Sequence, residues 1–213
     1  DRRRIRTRMA KLRREIAAMK PSREAKRANR KRNAVPSVAI VGYTNAGKSS
    51  LPTRLTSAGV LVENALFATL DPTVRQARAA DGRDYTLADT VGFVRQLPHQ
   101  LVEAFRSTLE EAGDADILLH VVDASHPAPE SQISAVHEVL GEVGTDDAIE
   151  IIALNKADLA EEHVMTRLLA DHRHAVAVSA ATGEGLEELR ALIEELLPQP
   201  GHELTVLVPF DRG

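Results

Sequence analysis

Cysteine is absent from the 213 residues, which excludes disulfides, thiol catalysis and Cys-ligated zinc. Long hydrophobic runs are missing as well. No apolar stretch approaches the length of a membrane span, and no secretory signal is visible. The eight histidines (99, 120, 126, 137, 163, 172, 174 and 202) show no zinc-site spacing and are expected to be surface or packing residues. The adjacent acids Glu110-Glu111 and Glu187-Glu188 are expected on helix surfaces, with no sign of an acid/base partnership. There is no internal repeat. These absences leave a cytoplasmic protein as the expectation. The chain starts at Asp1 rather than Met and ends within the alternating apolar segment 204–208, so it is read as part of a longer protein.

Charge is unevenly distributed. Residues 1–33 hold 15 Lys+Arg and 3 Asp+Glu, leaving 12 of the 27 basic and 28 of the 31 acidic residues for the rest. An acidic domain carrying a basic arm is the expected arrangement. In that arm Ile5, Met9, Leu12, Ile16 and Met19 recur at spacings of four and three, a stripe on an otherwise Arg- and Lys-covered helix. Pro21 ends this helix, and Ser22 caps a second one running to about Arg32. The predicted unit at 1–35 is a basic helical hairpin, and its charge density favours contact with nucleic acid.

Beyond it, residues 36–198 alternate strand and helix, which predicts an α/β domain with a mainly parallel sheet covered on both faces. Strands are expected at 38–41, 74–80, 84–89, 116–122, 150–154 and 175–178. The Asp81-Gly82 turn makes the second and third antiparallel. Helices are expected at 48–57, 99–112, 130–141, 161–171 and 185–196. Residues 199–213 read as a linker and the first strand, 203–209, of a further domain.

Two motifs on this framework carry chemistry. Gly42-Tyr-Thr-Asn-Ala-Gly-Lys-Ser49 fits G-x-x-x-x-G-K-[ST] and follows the apolar run 38–41. A triphosphate is a dense anion, best met by backbone N–H groups at close range. Gly42 and Gly47 permit the wrap, and a helix starting near Lys48 aims its positive end at the phosphates. Lys48 is expected on the β- and γ-phosphates, with the Ser49 hydroxyl on Mg²⁺. More than a hundred residues later Asn155-Lys-Ala-Asp158 has the form N-K-x-D. Guanine offers N1–H and a 2-amino group side by side, which the Asp158 carboxylate can accept together; adenine presents an acceptor there. Asn155 can meet the N7/O6 side, and the Lys156 stem can cover the base. Together the two motifs predict GTP binding.

Further positions follow from the strand ends. Asp89-Thr-Val-Gly92 places Asp89 where its carboxylate can hold Mg²⁺ and the Gly92 N–H where it can sense the γ-phosphate. Ser179 and Ala180 follow the last strand, where their backbone can contact guanine O6. The expected nucleotide-binding set is Gly42, Tyr43, Thr44, Asn45, Ala46, Gly47, Lys48, Ser49, Ser50, Phe67, Ala68, Thr69, Leu70, Asp71, Asp89, Thr90, Val91, Gly92, Asn155, Lys156, Asp158, Ser179, Ala180 and Ala181.

In this order, the motifs resemble the HflX family of translational GTPases. The family-specific segments are Leu66-Phe-Ala-Thr-Leu-Asp-Pro-Thr73 and Leu87-Ala-Asp-Thr-Val-Gly-Phe-Val-Arg-Gln-Leu-Pro98. Ser179-Ala-Ala-Thr-Gly-Glu-Gly185 adds to them, and the likeness covers roughly the whole chain. It implies a P-loop GTPase fold with a six-stranded sheet, and Mg²⁺-dependent GTP hydrolysis on the large ribosomal subunit (rRNA). Members can dissociate stalled or idle ribosomes. It also implies that Thr69 completes Mg²⁺ coordination beside Ser49 and Asp89, and that Lys48, Thr69 and Gly92 serve catalysis. A monomer binding GTP and GDP is expected. An Obg-like assembly or RNA-modification GTPase, or a nucleotide-sensing RNA-binding adaptor with negligible turnover, stays open beside it. Phe93 stands where many GTPases place the glutamine that orients water, so hydrolysis by the chain alone is expected to be slow. Pro52-Thr53 departs from the family pattern, and Pro52 is expected to disturb the helix after the phosphate loop.

Overall fold

The computed structural model describes residues 35–55, 73–90, 92, 112–113, 115–143, 145 and 148–199. Among these residues six strands form one sheet: β1 (Ser37–Gly42), β2 (Thr73–Arg78), β3 (Asp84–Asp89), β4 (Ile117–Asp123), β5 (Ile149–Asn155) and β6 (Ala175–Ala177). Among the described residues, α-helices α1 (Ser50–Leu55), α2 (Pro129–Val143), α3 (Glu162–Asp171) and α4 (Leu186–Leu196) cover it. The strand order is β2-β3-β1-β4-β5-β6. Only the β2–β3 pair is antiparallel, closed through Gly82 at φ 88°; the other pairings are parallel.

The apolar runs explain the centre of this sheet. All seven residues of β4 are buried, as a parallel strand covered on both faces requires. Alternate residues go to opposite sides. Val38, Ile40, Leu119, Val121, Ile151 and Ala153 meet Leu51 and Leu55 of α1 and Leu189 and Ile193 of α4. On the other face Ala39, Val41 and Leu118 meet Val136 and Leu140 of α2. Val122, Ile152 and Leu154 there meet Ile133 of α2 and Leu168 of α3. β1 and β4 lie side by side, yet the chain leaves them in opposite directions, toward β2–β3 and toward β5. Such a point opens a crevice at the strands' carboxyl ends.

One helix start differs from expectation. α1 begins at Ser50 rather than near Lys48, and residues 44–49 form turns. Pro52 has no N–H to donate to the Lys48 carbonyl, so a regular helical bond from residue 52 back to 48 cannot form. Pro52 therefore lies within the first turn of a short helix, where proline is tolerated. Ser50 and Leu51 N–H both donate to the Gly47 carbonyl, at 3.1 and 3.2 Å, and the Thr53 hydroxyl donates to that of Ser49 at 3.3 Å. A 3₁₀ turn at Ala157–Leu159 had no sequence counterpart among the expected elements. The basic hairpin at 1–35 apart from residue 35, the helix at 99–112 apart from residue 112, and the strand at 203–209 lie outside the described residues.

Candidate functional site

The loop after β1 turns back over the strand ends. Gly42 and Gly47 hold φ of 146° and 98°, and Asn45 sits at φ 63° in the left-handed region that asparagine tolerates. A Cβ at Gly47 would overlap the Asn155 amide nitrogen. Glycine there lets the loop close onto β5. Lys48 is only 6% exposed, and its Nζ donates to the Tyr43 carbonyl at 2.6 Å. Burial pulls the amine down from 10.5 to about 8, against the opposing attraction of Asp89. The lysine is thus folded back under its own loop, beside a carboxylate.

That carboxylate ends β3. Asp89 is 5% exposed, and β1 and β3 are paired through Ile40 and Asp89. The next residue ties the two strand ends: Thr90 donates to the Ile40 carbonyl from its hydroxyl at 2.6 Å and from its N–H at 3.3 Å. Gly92 then passes against the phosphate loop. A Cβ there would lie 2.7 Å from Thr44 Cγ2 and 3.1 Å from Lys48 Nζ. The Asp-Thr-x-Gly segment and the glycine-rich loop therefore form one surface with Lys48 between them.

The second motif closes the other side. Asn155, at the end of β5, is buried. Its Nδ2 donates to the Ala46 carbonyl at 2.7 Å, and its Oδ1 accepts from the Ala180 N–H at 3.0 Å. One amide thus joins the phosphate loop, β5 and the loop after β6. Lys156 adopts the left-handed conformation at φ 62°, which turns the chain so that Asp158 stands exposed in the 3₁₀ turn. The loop after β6 is braced by Ser179, whose hydroxyl accepts from the Thr182 N–H at 3.1 Å. Arg54 of α1 donates to the Ala181 carbonyl at 2.9 Å.

The expected residues 42–49, Asp89, Thr90, Gly92, Asn155, Lys156, Asp158 and 179–181 all fall at the carboxyl ends of β1, β3, β5 and β6 or in the loops that leave them, and Ser50 opens α1. Phe67, Ala68, Thr69, Leu70, Asp71, Val91 and Phe93 lie outside the described residues. Sequence reasoning passed over Asp123. Its Oδ2 accepts from Lys156 Nζ at 2.6 Å, and its Oδ1 accepts from the Ser125 N–H and hydroxyl. The signal was available, since Asp123 ends an apolar strand at the sheet's binding edge. A second set was also overlooked. His120, expected as a surface or packing histidine, is buried, and with His137 it hydrogen-bonds Glu150.

The family model described as "50S ribosome-binding GTPase" matches residues 37–156. The protein named GTPase HflX from Lacrimispora saccharolytica is 52% identical over 197 residues, covering 92% of this chain and 46% of that protein. GTPase HflX from Escherichia coli is 40% identical over 215 residues, covering 100% of this chain and 50% of that protein. The chain thus spans about half the length of the curated relatives it matches. Among solved structures, a GTP-binding protein from Sulfolobus solfataricus in complex with GDP matches with TM-score 0.62 and 28% identity, over 84% of this chain and 57% of that one. Era in complex with MgGDPNP and a 16S ribosomal RNA segment matches with TM-score 0.62 and 24% identity, over 80% of this chain and 59% of that one, a likeness of fold alone. With the phosphate loop, the Asp-Thr-x-Gly segment and the Asn-Lys-x-Asp turn on one edge of a P-loop GTPase sheet, the chain belongs to the HflX family of GTPases.

Proposed function

We propose that this chain is the nucleotide-dependent switch of a protein that binds and hydrolyses GTP on the large ribosomal subunit and dissociates or rescues ribosomes. The observation that carries the reading is the Asn155 bridge, which couples the phosphate loop at Ala46 to the guanine-side loop at Ala180. A base and its phosphates would thus be read by one connected frame. Asp158, exposed beyond β5, is assigned the paired N1–H and 2-amino donors of guanine. Lys156, its ammonium held by Asp123, would lay its stem along the base.

The phosphate side fits Mg²⁺ by donor type. The Ser49 hydroxyl and the buried Asp89 carboxylate are hard oxygen ligands, the class that this ion prefers. Thr69 joins them on the family resemblance. Bound there, the ion would neutralise charge on the β- and γ-phosphates. Lys48 would leave the Tyr43 carbonyl for the phosphates, and the Gly92 N–H would donate to the γ-phosphate. Phe93 has no group to hydrogen-bond water, so a docked partner is assigned the completion of the site. No helix among the described residues is long and apolar enough to cross a membrane. Docking through residues 1–33, with 15 basic side chains, is the reading that this charge supports.

Single-turnover GTP hydrolysis with and without large ribosomal subunits tests the proposal, alongside pelleting with the subunits across a salt series. Acceleration by the subunits is expected, together with weaker binding when residues 1–33 are deleted. For every rRNA phosphate that the shortened chain no longer neutralises, the log–log salt slope should flatten by roughly 0.7–0.9. Binding without acceleration would favour the adaptor reading, which Phe93 also suits. Absence of both binding and acceleration would overturn the ribosomal assignment.

A further inference from the structure

Away from the nucleotide loops, His120, His137 and Glu150 meet on the sheet face that α2 covers. His120 follows Leu118 and precedes Val122 on the same side of β4, and both of those residues pack in the clusters under α2 and α3. Glu150 lies on the same side of β5 as Ile152 and Leu154. His137 reaches down from α2. His120 Nδ1 and His137 Nε2 each lie 2.8 Å from one oxygen, Glu150 Oε1, and the two rings meet edge to face with centroids 5.5 Å apart.

We infer that His120, His137 and Glu150 form a binding site for a late first-row divalent cation of the Zn²⁺ class. Two imidazole nitrogens and a carboxylate are the donor types of three-residue zinc sites. Two nitrogen donors also discriminate against Mg²⁺ and Ca²⁺, which favour all-oxygen shells. All three ligand atoms lie within 4.8 Å of one another. Donors around a tetrahedral zinc stand about 3.3 Å apart, so entry of the ion would widen the two nitrogen–oxygen distances by about half an ångström and close the two imidazole nitrogens by at most about 1.5 Å. The three ligands come from β4, α2 and β5, so the cation would clamp the helix to two central strands.

Exposure grades across the site in the way that entry of an ion requires. His120 is 1% exposed, Glu150 31% and His137 44%. The buried ring fixes the inner side, and the outer side admits the ion and a water to complete the shell. Because this chain has no cysteine, a histidine–carboxylate set is the zinc chemistry left to it. The site is independent of the proposed GTPase function, whose ligands it does not share.

Cobalt(II) reports on such a site through its visible d–d absorption. The metal-stripped chain, with its nucleotide site filled by GDP and excess Mg²⁺, is titrated with Co²⁺ and then with Zn²⁺. One equivalent of Co²⁺ is expected to give a nitrogen-ligated spectrum that Zn²⁺ erases, and Zn²⁺ should raise Tm. His137→Ala and Glu150→Gln should each weaken binding at least tenfold while GDP affinity stays within twofold. Both replaced side chains are partly exposed, and GDP binding confirms that each variant is folded. If the parent takes up no Co²⁺ under these conditions, or both variants bind it as tightly as the parent, the triad is a hydrogen-bonded strut and the inference fails.

Discussion

Lys48 lets the proposed phosphate contact be read as proton uptake. In the folded chain without nucleotide the amine is held at about 8 rather than 10.5, because burial disfavours its charge. A difference of about 2.5 units corresponds to roughly 3 kcal/mol. The folded value lies below the unfolded one, so this penalty is complete below pH 8 and fades as pH rises from 8 to 10.5. A phosphate group placed against Nζ restores the charged form. At pH 8, binding of a non-hydrolysable GTP analogue should therefore take up about half a proton per chain, since the free amine is half protonated there. Between pH 7 and pH 9 affinity should fall about tenfold, the range in which the free amine goes from mostly protonated to mostly neutral. Calorimetric titration in two buffers of different ionisation enthalpy measures the proton. Lys48→Met should bind weakly, lose the proton uptake, and resist denaturant better than the parent at pH 7. A parent whose affinity is flat across this range, with no proton taken up at pH 8, would refute the reasoning.

Two other expectations concern the base and the loop. Asp158→Asn should exchange GTP preference for xanthosine triphosphate, costing GTP on the order of 2–4 kcal/mol, as measured by competition binding with GTP, ATP and XTP; equal binding of ATP and GTP by the parent would remove the guanine assignment. Gly47→Ala puts a methyl group where the Asn155 amide nitrogen lies and forces a side chain to φ 98°. It should weaken GDP binding more than tenfold and lower Tm by several degrees, a loss of about 1–3 kcal/mol. Calorimetry and thermal melting read the two effects, and unchanged values would mean that the loop does not lean on β5.

The sequence by itself determined the alternation of strands and helices, the Asp81-Gly82 hairpin and the two nucleotide motifs. These are encoded locally: runs such as 38–41 and 150–154 are apolar enough to be buried strands wherever they pair. Motif spacing placed Gly42–Ser49 and Asn155–Asp158 after such strands, which predicted GTP binding, while the segments 66–73 and 87–98 pointed to the family. Beyond that hairpin, local pattern carries no information about which strands are neighbours. The order β2-β3-β1-β4-β5-β6 belongs to the folded sheet, and long-range contacts inherit that dependence. Asn155 could be read as a base contact from its motif, but its bonds to Ala46 and Ala180 span 109 and 25 residues. Burial of Lys48 could not be read from a lysine in a polar loop; it arises when Gly92 and Asp89 are packed over it. Asp123 and Lys156 meet because β4 and β5 end level, with Asp123 opposite Asn155. The histidines at 120 and 137 had no meaningful spacing along the chain. They share a carboxylate oxygen because α2 packs on β1 and β4, which brings His137 to the Glu150 carboxylate on the neighbouring β5, a juxtaposition that only tertiary packing creates.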